Sequence, residues 1–364
     1  MTYWYFIEPC DVWMFRDSKP FAAGQSFVAR SQFPPTPQTM QGVVRTSYLE
    51  AQNVDWQAFG RGEIETLVGT SASLSDEFNL TGPLVAKMVE DKTHKIAARP
   101  FIPAPLDLVR SKSDEAAGLA LLSPVAAEGS FLTSTPFGGW RPLAAPRHLD
   151  DLEYAGGWLD DAGVKAYVQG QTPAQTMKSD ELFALEERVG LAMDHGRRTH
   201  RDQHLYHAQF VRPQSGVGLL VGLSGQYLPD DAIINIGGES RSGYCKAVPA
   251  ILPQGPTSDR LKVVLLTPAW FSGGWQPEGG DWSRWVGAGQ LVSTAIGRPQ
   301  PISGWDVARN RAKPLYQYVP AGSVYYFDNA DWQGKPFTES PADSLDHARI
   351  GFGGALTASW TPAT

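Results

Sequence analysis

The sequence predicts an α+β protein made of two ferredoxin-like modules with loop and helical insertions. Three observations point there. The chain opens on an aromatic, extended run and passes through a proline-rich approach into a capped helix, the strand-then-helix start of a βαββαβ unit. Its second half is strand-rich, with apolar runs separated by Gly-Gly pairs and tryptophans. Its 364 residues are also enough for two modest domains. The boundary falls near Gly157. Residues 1–156 form the first module with its insertion, and 157–364 a helical connector and the second module.

Residues 3–9, YWYFIEP, have the aromatic and β-branched character of a strand, and a short extended piece follows around Val12 to Phe15. Arg16 to Gln32, with Gly24 inside it, reads as a loop or hairpin. Pro34 and Pro35 hold the approach extended, because the residue before a proline is driven out of the helical region. Thr36 then suits an N-cap, its hydroxyl accepting from a first-turn amide, and Pro37 suits the next position, where no donor is needed. Met40, Val43, Val44 and Tyr48 follow at helical spacing as one apolar face. Gly42 is out of character. A mid-helix glycine costs about 1 kcal/mol relative to alanine, so it marks a place where something approaches the backbone closely. Arg45 lies one turn on, on the same side. Free amides, bare backbone and an arginine suit an anion such as a phosphate.

From about Gly60 to Ala155 the periodicity degrades. The prolines between Pro100 and Pro105 and the small-residue run from Asp114 to Ser130 predict insertions and loops rather than core. Asp160 caps a predicted helix over 162–169, and Ser179 a second over 182–188. Strands are predicted over 205–212, 218–223, 232–236, 261–266 and 322–327.

Composition excludes several classes. No apolar run approaches the roughly 18 residues that span a bilayer, and the N-terminus MTYWYFIEPCD has the wrong charges for a signal peptide. No membrane association is expected. Cys10 and Cys245 make at most one bridge and lack paired metal spacing, which fits a reduced cytoplasm. At a net charge of −7, any nucleic-acid binding must be local: a basic groove on an acidic body.

FRDSKPF followed by FPPTPQTMQGVVR resembles the N-terminal signature of the third Cmr subunit of type III-B CRISPR effector complexes, a member of the RAMP superfamily in its 5′-handle-binding group. Further landmarks come in the same order: GGWLDDAGVKAYVQG, EERVGLAMD, IGGESRSG, PAGSVYYF and ARIGFGGA. The resemblance implies ferredoxin-like (RRM/RAMP) modules and a non-catalytic subunit that binds the 5′ handle of a crRNA. It also implies neighbours: the large polymerase-like subunit and a backbone RAMP subunit, with target RNA met only indirectly. No catalytic residue, cofactor or metal is expected.

With RNA supplied by the resemblance, basic and glycine-rich stretches gain a role. HGRRTHRDQHLYHAQFVR is the densest basic patch, and Arg197, Arg198 and His200 are read as phosphate and base contacts. His200, His204 and His207 share a face only on a helix; LYHAQFV is better as a strand, and no carboxylate follows in the zincin pattern, so metal binding is not expected. General acid–base work by these histidines, as in RAMP relatives that cut guide precursors without metal, is the alternative function. Thr39, Gly42 and Arg45 join the handle site from the helix. Arg241 and Arg349, with Gly351, Gly353 and Gly354, join it from glycine-rich loops whose backbone a phosphate or base can approach. Arg16 and Asp17 read as an internal ion pair that leaves Lys19 and Arg30 for RNA. The tryptophan-rich stretch Trp270 to Trp285 reads as an interface or lid loop, with carbohydrate binding as a third class.

Overall fold

The computed structural model describes residues 1–18, 28–90, 96–126, 139–145, 149–194, 199–306 and 311–363. The chain forms two compact units, each assembled from three segments: Met1–Ala98, Ser179–Pro249 and Pro301–Tyr316 in unit 1, Arg99–Lys178, Ala250–Gln300 and Gln317–Thr364 in unit 2. The architecture is mixed, with strands far outweighing helices.

Unit 1 is built on β1 (Tyr3–Pro9), α1 (Pro37–Ala51), β2 (Leu80–Glu90) and β3 (Ile96–Pro100). Later segments add β4 (Phe183–Asp194), β5 (Thr199–Pro213), β6 (Val217–Leu223), β7 (Ala232–Asn235) and β8 (Ser242–Ala247). A six-stranded sheet runs β7-β8-β1-β6-β2-β3. β1 is central and antiparallel to both neighbours, Tyr5 standing opposite Val221 on β6 and Ala247 on β8. Every residue of β6 is buried, which its unbroken apolar run VGLLVGL requires of a central strand. α1 starts on Thr36 as predicted and buries Met40, Val43 and Val44.

β4 and β5 form a long antiparallel ribbon, with Val28–Ala29 pairing parallel on the far edge of β5. This corrects the helix expected over 182–188, since the helix-forming residues of EERVGLAM are held extended by a register that sets Glu186 opposite Phe210. β2 corrects the expectation of loops in its region. Its Gly82-Pro83 pair reads as a break, yet Leu84, Val85 and Ala86 are buried against β6.

In unit 2, α2 (Asp161–Val168) is capped by Asp160, whose carboxylate accepts the Gly163 amide at 2.8 Å. The strands β9 (Leu261–Leu265), β10 (Gln290–Ala295), β11 (Val324–Asp328) and β12 (Ala355–Ser359) form an antiparallel sheet ordered β10-β11-β9-β12. One apolar cluster joins α2 to a face of this sheet through Tyr167, Val264, Tyr326 and Leu356. A second gathers Phe271, Trp282, Trp285, Tyr325 and Phe337, with Trp282 stacked on Phe337 at 5.2 Å. Trp282 and Trp285, 5% and 1% exposed, anchor the tryptophan-rich stretch in this core, while residues 272–274 and 278–279 of it are exposed. Residues 100–105, expected as loop, likewise bury Phe101, Ile102 and Ala104.

Candidate nucleic-acid interface

The start of α1 is built as its sequence requires. Thr36 is extended and its Oγ1 accepts the Thr39 amide at 3.2 Å, with the two hydroxyls 3.1 Å apart. The chain reaches this cap through a short antiparallel contact: the Asp17 amide donates to the Arg30 carbonyl at 3.0 Å and the Gln32 amide to the Phe15 carbonyl at 2.8 Å. Arg30 is exposed there. Phe33 stacks on Trp13 and Phe15 and tilts against Phe183 at 4.7 Å, tying the approach to the β4–β5 ribbon.

A Cβ at Gly42 would meet nothing within 4 Å. Among the described residues, then, no packing requires a glycine at this mid-helix position. Gly237 is the opposite case: at φ +86 its Cβ would stand 2.7 Å from the Met14 carbonyl oxygen, so the turn between β7 and β8 needs it.

Arg45 does not share Gly42's outlook. Its guanidinium donates to the Thr70 carbonyl, to the Ser73 carbonyl at 3.4 Å and to Gln41 Oε1 at 3.5 Å, and lies 6.0 Å from the Phe59 ring. Burial lowers its pKa from the ordinary value. It ties α1 to the 70–73 loop.

Arg241 belongs to a charged cluster that sequence reasoning missed. Phe210 on β5 is buried, and the guanidinium of Arg188 lies 4.9 Å and that of Arg241 4.7 Å from its ring centroid. Asp11, just past β1, faces Arg212 at 3.1 Å, Arg188 at 3.4 Å and Arg241 at 3.5 Å. Glu186 grips Arg188 at 2.7 Å and Arg212 at 2.8 Å. Burial is the largest single effect on Asp11 and raises its pKa, but hydrogen bonds and charge from Arg212 and Arg188 together outweigh it and hold the carboxyl below its usual range. For Glu186 the hydrogen bonds from Arg188 and Arg212 lead and act in the same direction. The signal lay in strand alternation: once 183–194 is read as a strand, Glu186 and Arg188 fall on one face opposite Phe210.

The C-terminal glycine loop lies in unit 2, and the amides of Gly353 and Gly354 are engaged inside that unit. Gly353 N–H donates to the Pro268 carbonyl and Gly354 N–H to Thr267 Oγ1, both at 2.8 Å, while Thr267 Oγ1 donates to the Gly351 carbonyl at 2.7 Å. At φ +66 a Cβ on Gly353 would lie 2.7 Å from the Phe337 carbonyl carbon. The Arg349 amide donates to the Asp346 carbonyl at 3.1 Å. Lys19, Arg197 and Arg198 lie outside the described residues, as does the side chain of His200, whose backbone is on β5. No group of metal-ligating side chains is found among the described residues, and no described helix is long and apolar enough to cross a membrane.

Residues 5–360 match the sequence model of a family of CRISPR-associated proteins. The chain belongs to that family, Cas_Cmr3, the one its N-terminal signature resembles. No curated protein matches it. Among solved structures, the chain is similar to one from a cryo-EM structure of the type III-B Cmr-beta bound to cognate target RNA and AMPPnP, at 15% identity and a TM-score of 0.48, covering 89% of this chain and 86% of that one. A chain from the same assembly with cognate target RNA alone gives 15% identity, a TM-score of 0.47 and the same coverage.

Proposed function

We propose that this chain is the subunit of a type III-B CRISPR effector that holds the 5′ handle of the guide RNA and has no catalytic step of its own. It caps the backbone filament in the cytoplasm, beside the large polymerase-like subunit and a backbone RAMP subunit, and meets target RNA through the guide. The family match over nearly the whole chain carries this reading. The start of α1 supports it in detail: Gly42, one turn past Thr39, leaves bare backbone that nothing in the described chain fills, and Arg30 on the segment leading to the helix is exposed. Arg45 supports that platform from within, while Arg241, with Lys19, Arg197, Arg198 and His200, supplies further contacts to phosphate and splayed bases.

The same reading extends to the fold. Taken as β1, β2, β6 and β8, the core of the unit 1 sheet has the antiparallel order fourth-first-third-second, with α1 between the first two strands. Strands β9 to β12 repeat that order in unit 2. That order supports a ferredoxin-like reading of both units, with helices shortened or replaced by loops.

The test is binding of the full chain, in EDTA, to guide RNA with and without its 5′ handle. The reading predicts tighter binding to the handle-bearing RNA, which stays intact. Equal binding contradicts it, and site-specific cleavage lost in His200→Ala would instead identify a metal-independent endoribonuclease.

A further inference from the structure

The cluster around Phe210 has more arginine than its two carboxylates satisfy. Arg188, Arg212 and Arg241 converge from two strands and a turn on Asp11 and Glu186. Stability alone does not explain this. The side chains are between a quarter and a half exposed, and exposed ion pairs contribute little because water and salt screen them. Three like charges at one spot also repel one another.

The geometry is that of a held anion site with a weak internal occupant. Two guanidiniums lie over the Phe210 ring, 4.9 and 4.7 Å from its centroid, where attraction to the ring face holds them. Asp11 is shared among three arginines at 3.1 to 3.5 Å, longer than the roughly 2.7–2.9 Å of a good charge-assisted bond. Arg241 Nε is buried and has no hydrogen-bond partner among the described residues. A phosphodiester, whose two free oxygens accept from several forks at once, suits the three better than one carboxylate. On a chain of net charge −7, a local excess of positive charge is also a place where an anionic polymer is steered.

We infer that Arg188, Arg212 and Arg241 form a backbone-phosphate site for single-stranded RNA, in which Asp11 is the internal competitor that the phosphate displaces. The inference rests on the RNA-binding reading above and adds to it residues on the β4–β5 ribbon. It yields an outcome that a merely structural cluster does not: removing Asp11's charge strengthens binding.

The experiment measures binding of the full chain to a single-stranded guide-length RNA across a salt series, for wild type, Asp11→Asn, Arg212→Ala and Arg212→Lys, with thermal melts to show that each folds. Asp11→Asn is expected to tighten binding about fivefold at low salt, where screening is weakest. Arg212→Ala is expected to weaken binding and make the slope of log K against log salt shallower by about 0.7, the loss of one phosphate contact on a single strand. Arg212→Lys should keep the slope and lose part of the affinity, since it keeps the charge but not the fork. If wild type binds RNA and the variants match it, the cluster is not a phosphate site and the inference falls alone. Variants that bind RNA normally but no longer co-assemble with the other effector subunits would make it a protein-docking site, which also overturns it. If wild type itself binds no RNA, the parent reading fails and the inference with it.

Discussion

Lys262 is the second residue of β9, flanked by Leu261 and Val263, and is 2% exposed. Its ammonium donates to Asp107 at 2.7 Å, and the hydroxyls of Tyr167 and Tyr326 donate to the same carboxylate at 2.8 and 2.6 Å. Burial pushes the Lys262 pKa down, and Asp107 opposes that shift. Removing one partner of such a pair strands the other's charge, at a cost of about 3–5 kcal/mol, whereas replacing both with apolar groups is often close to neutral. Lys262→Met is therefore expected to lower the unfolding free energy by about that amount, and Asp107→Leu with Lys262→Met and Tyr167→Phe, which also removes the hydroxyl that would lose its acceptor, to recover most of it. Denaturant titration of the single and triple variants checks this; equal losses in both would show that the polar pairing itself stabilises unit 2.

His347 offers a second residue-scale test. It is buried, its ring and that of Tyr318 both stacked on Phe352 at 4.6 and 4.9 Å; its Nε2 lies 2.6 Å from the Tyr318 hydroxyl and its Nδ1 2.9 Å from the Leu345 carbonyl. Burial lowers its pKa below the ordinary 6.5. The unfolded chain thus takes up a proton at pH values where the folded chain does not, so stability is full above 6.5 and falls as pH drops below it, down to the lowered value. The melting temperature should decline over that window, and His347→Gln should flatten the decline. An unchanged slope in the variant would place the titration elsewhere.

At the scale of elements, α1 separates fold from function. Nothing within 4 Å opposes a Cβ at Gly42, so Gly42→Ala should stabilise the free chain by up to about 1 kcal/mol through helix propensity. If RNA approaches the bare backbone there, the same change weakens handle binding. A variant that melts higher and binds worse supports the account, while one that melts higher and binds equally removes Gly42 from the site. Elements with local signals were legible in the sequence. Thr36-Pro37 and Asp160 announced α1 and α2, and an unbroken apolar run announced β6. Elements decided by partners distant in the chain were not. β4 is made of good helix formers and becomes a strand only because β5 pairs with it. β2 is interrupted by a Gly-Pro pair that its neighbour β6 tolerates. The arginine cluster was hidden for the same reason, since its members lie far apart until the ribbon register is known.

For the whole molecule, the contrast is between an acidic chain and the polyanion it is proposed to hold. A net charge of −7 leaves no general attraction for RNA, so binding must come from local features: the start of α1, the exposed Arg30 and the arginines around Phe210. Those described features all belong to unit 1, while the buried Asp107–Lys262 pair and the aromatic core around Phe337 belong to unit 2. The expectation is that unit 1 carries most of the RNA contact and that unit 2, with its Gly353 and Gly354 amides engaged internally, carries less. The most direct measurement is ultraviolet crosslinking of the chain to guide RNA within the assembled effector, with the crosslinked peptides and nucleotides both identified. The account predicts crosslinks between handle nucleotides and peptides of unit 1 around residues 30–45 and 186–212; crosslinks confined to the spacer, or to peptides of unit 2, would contradict it.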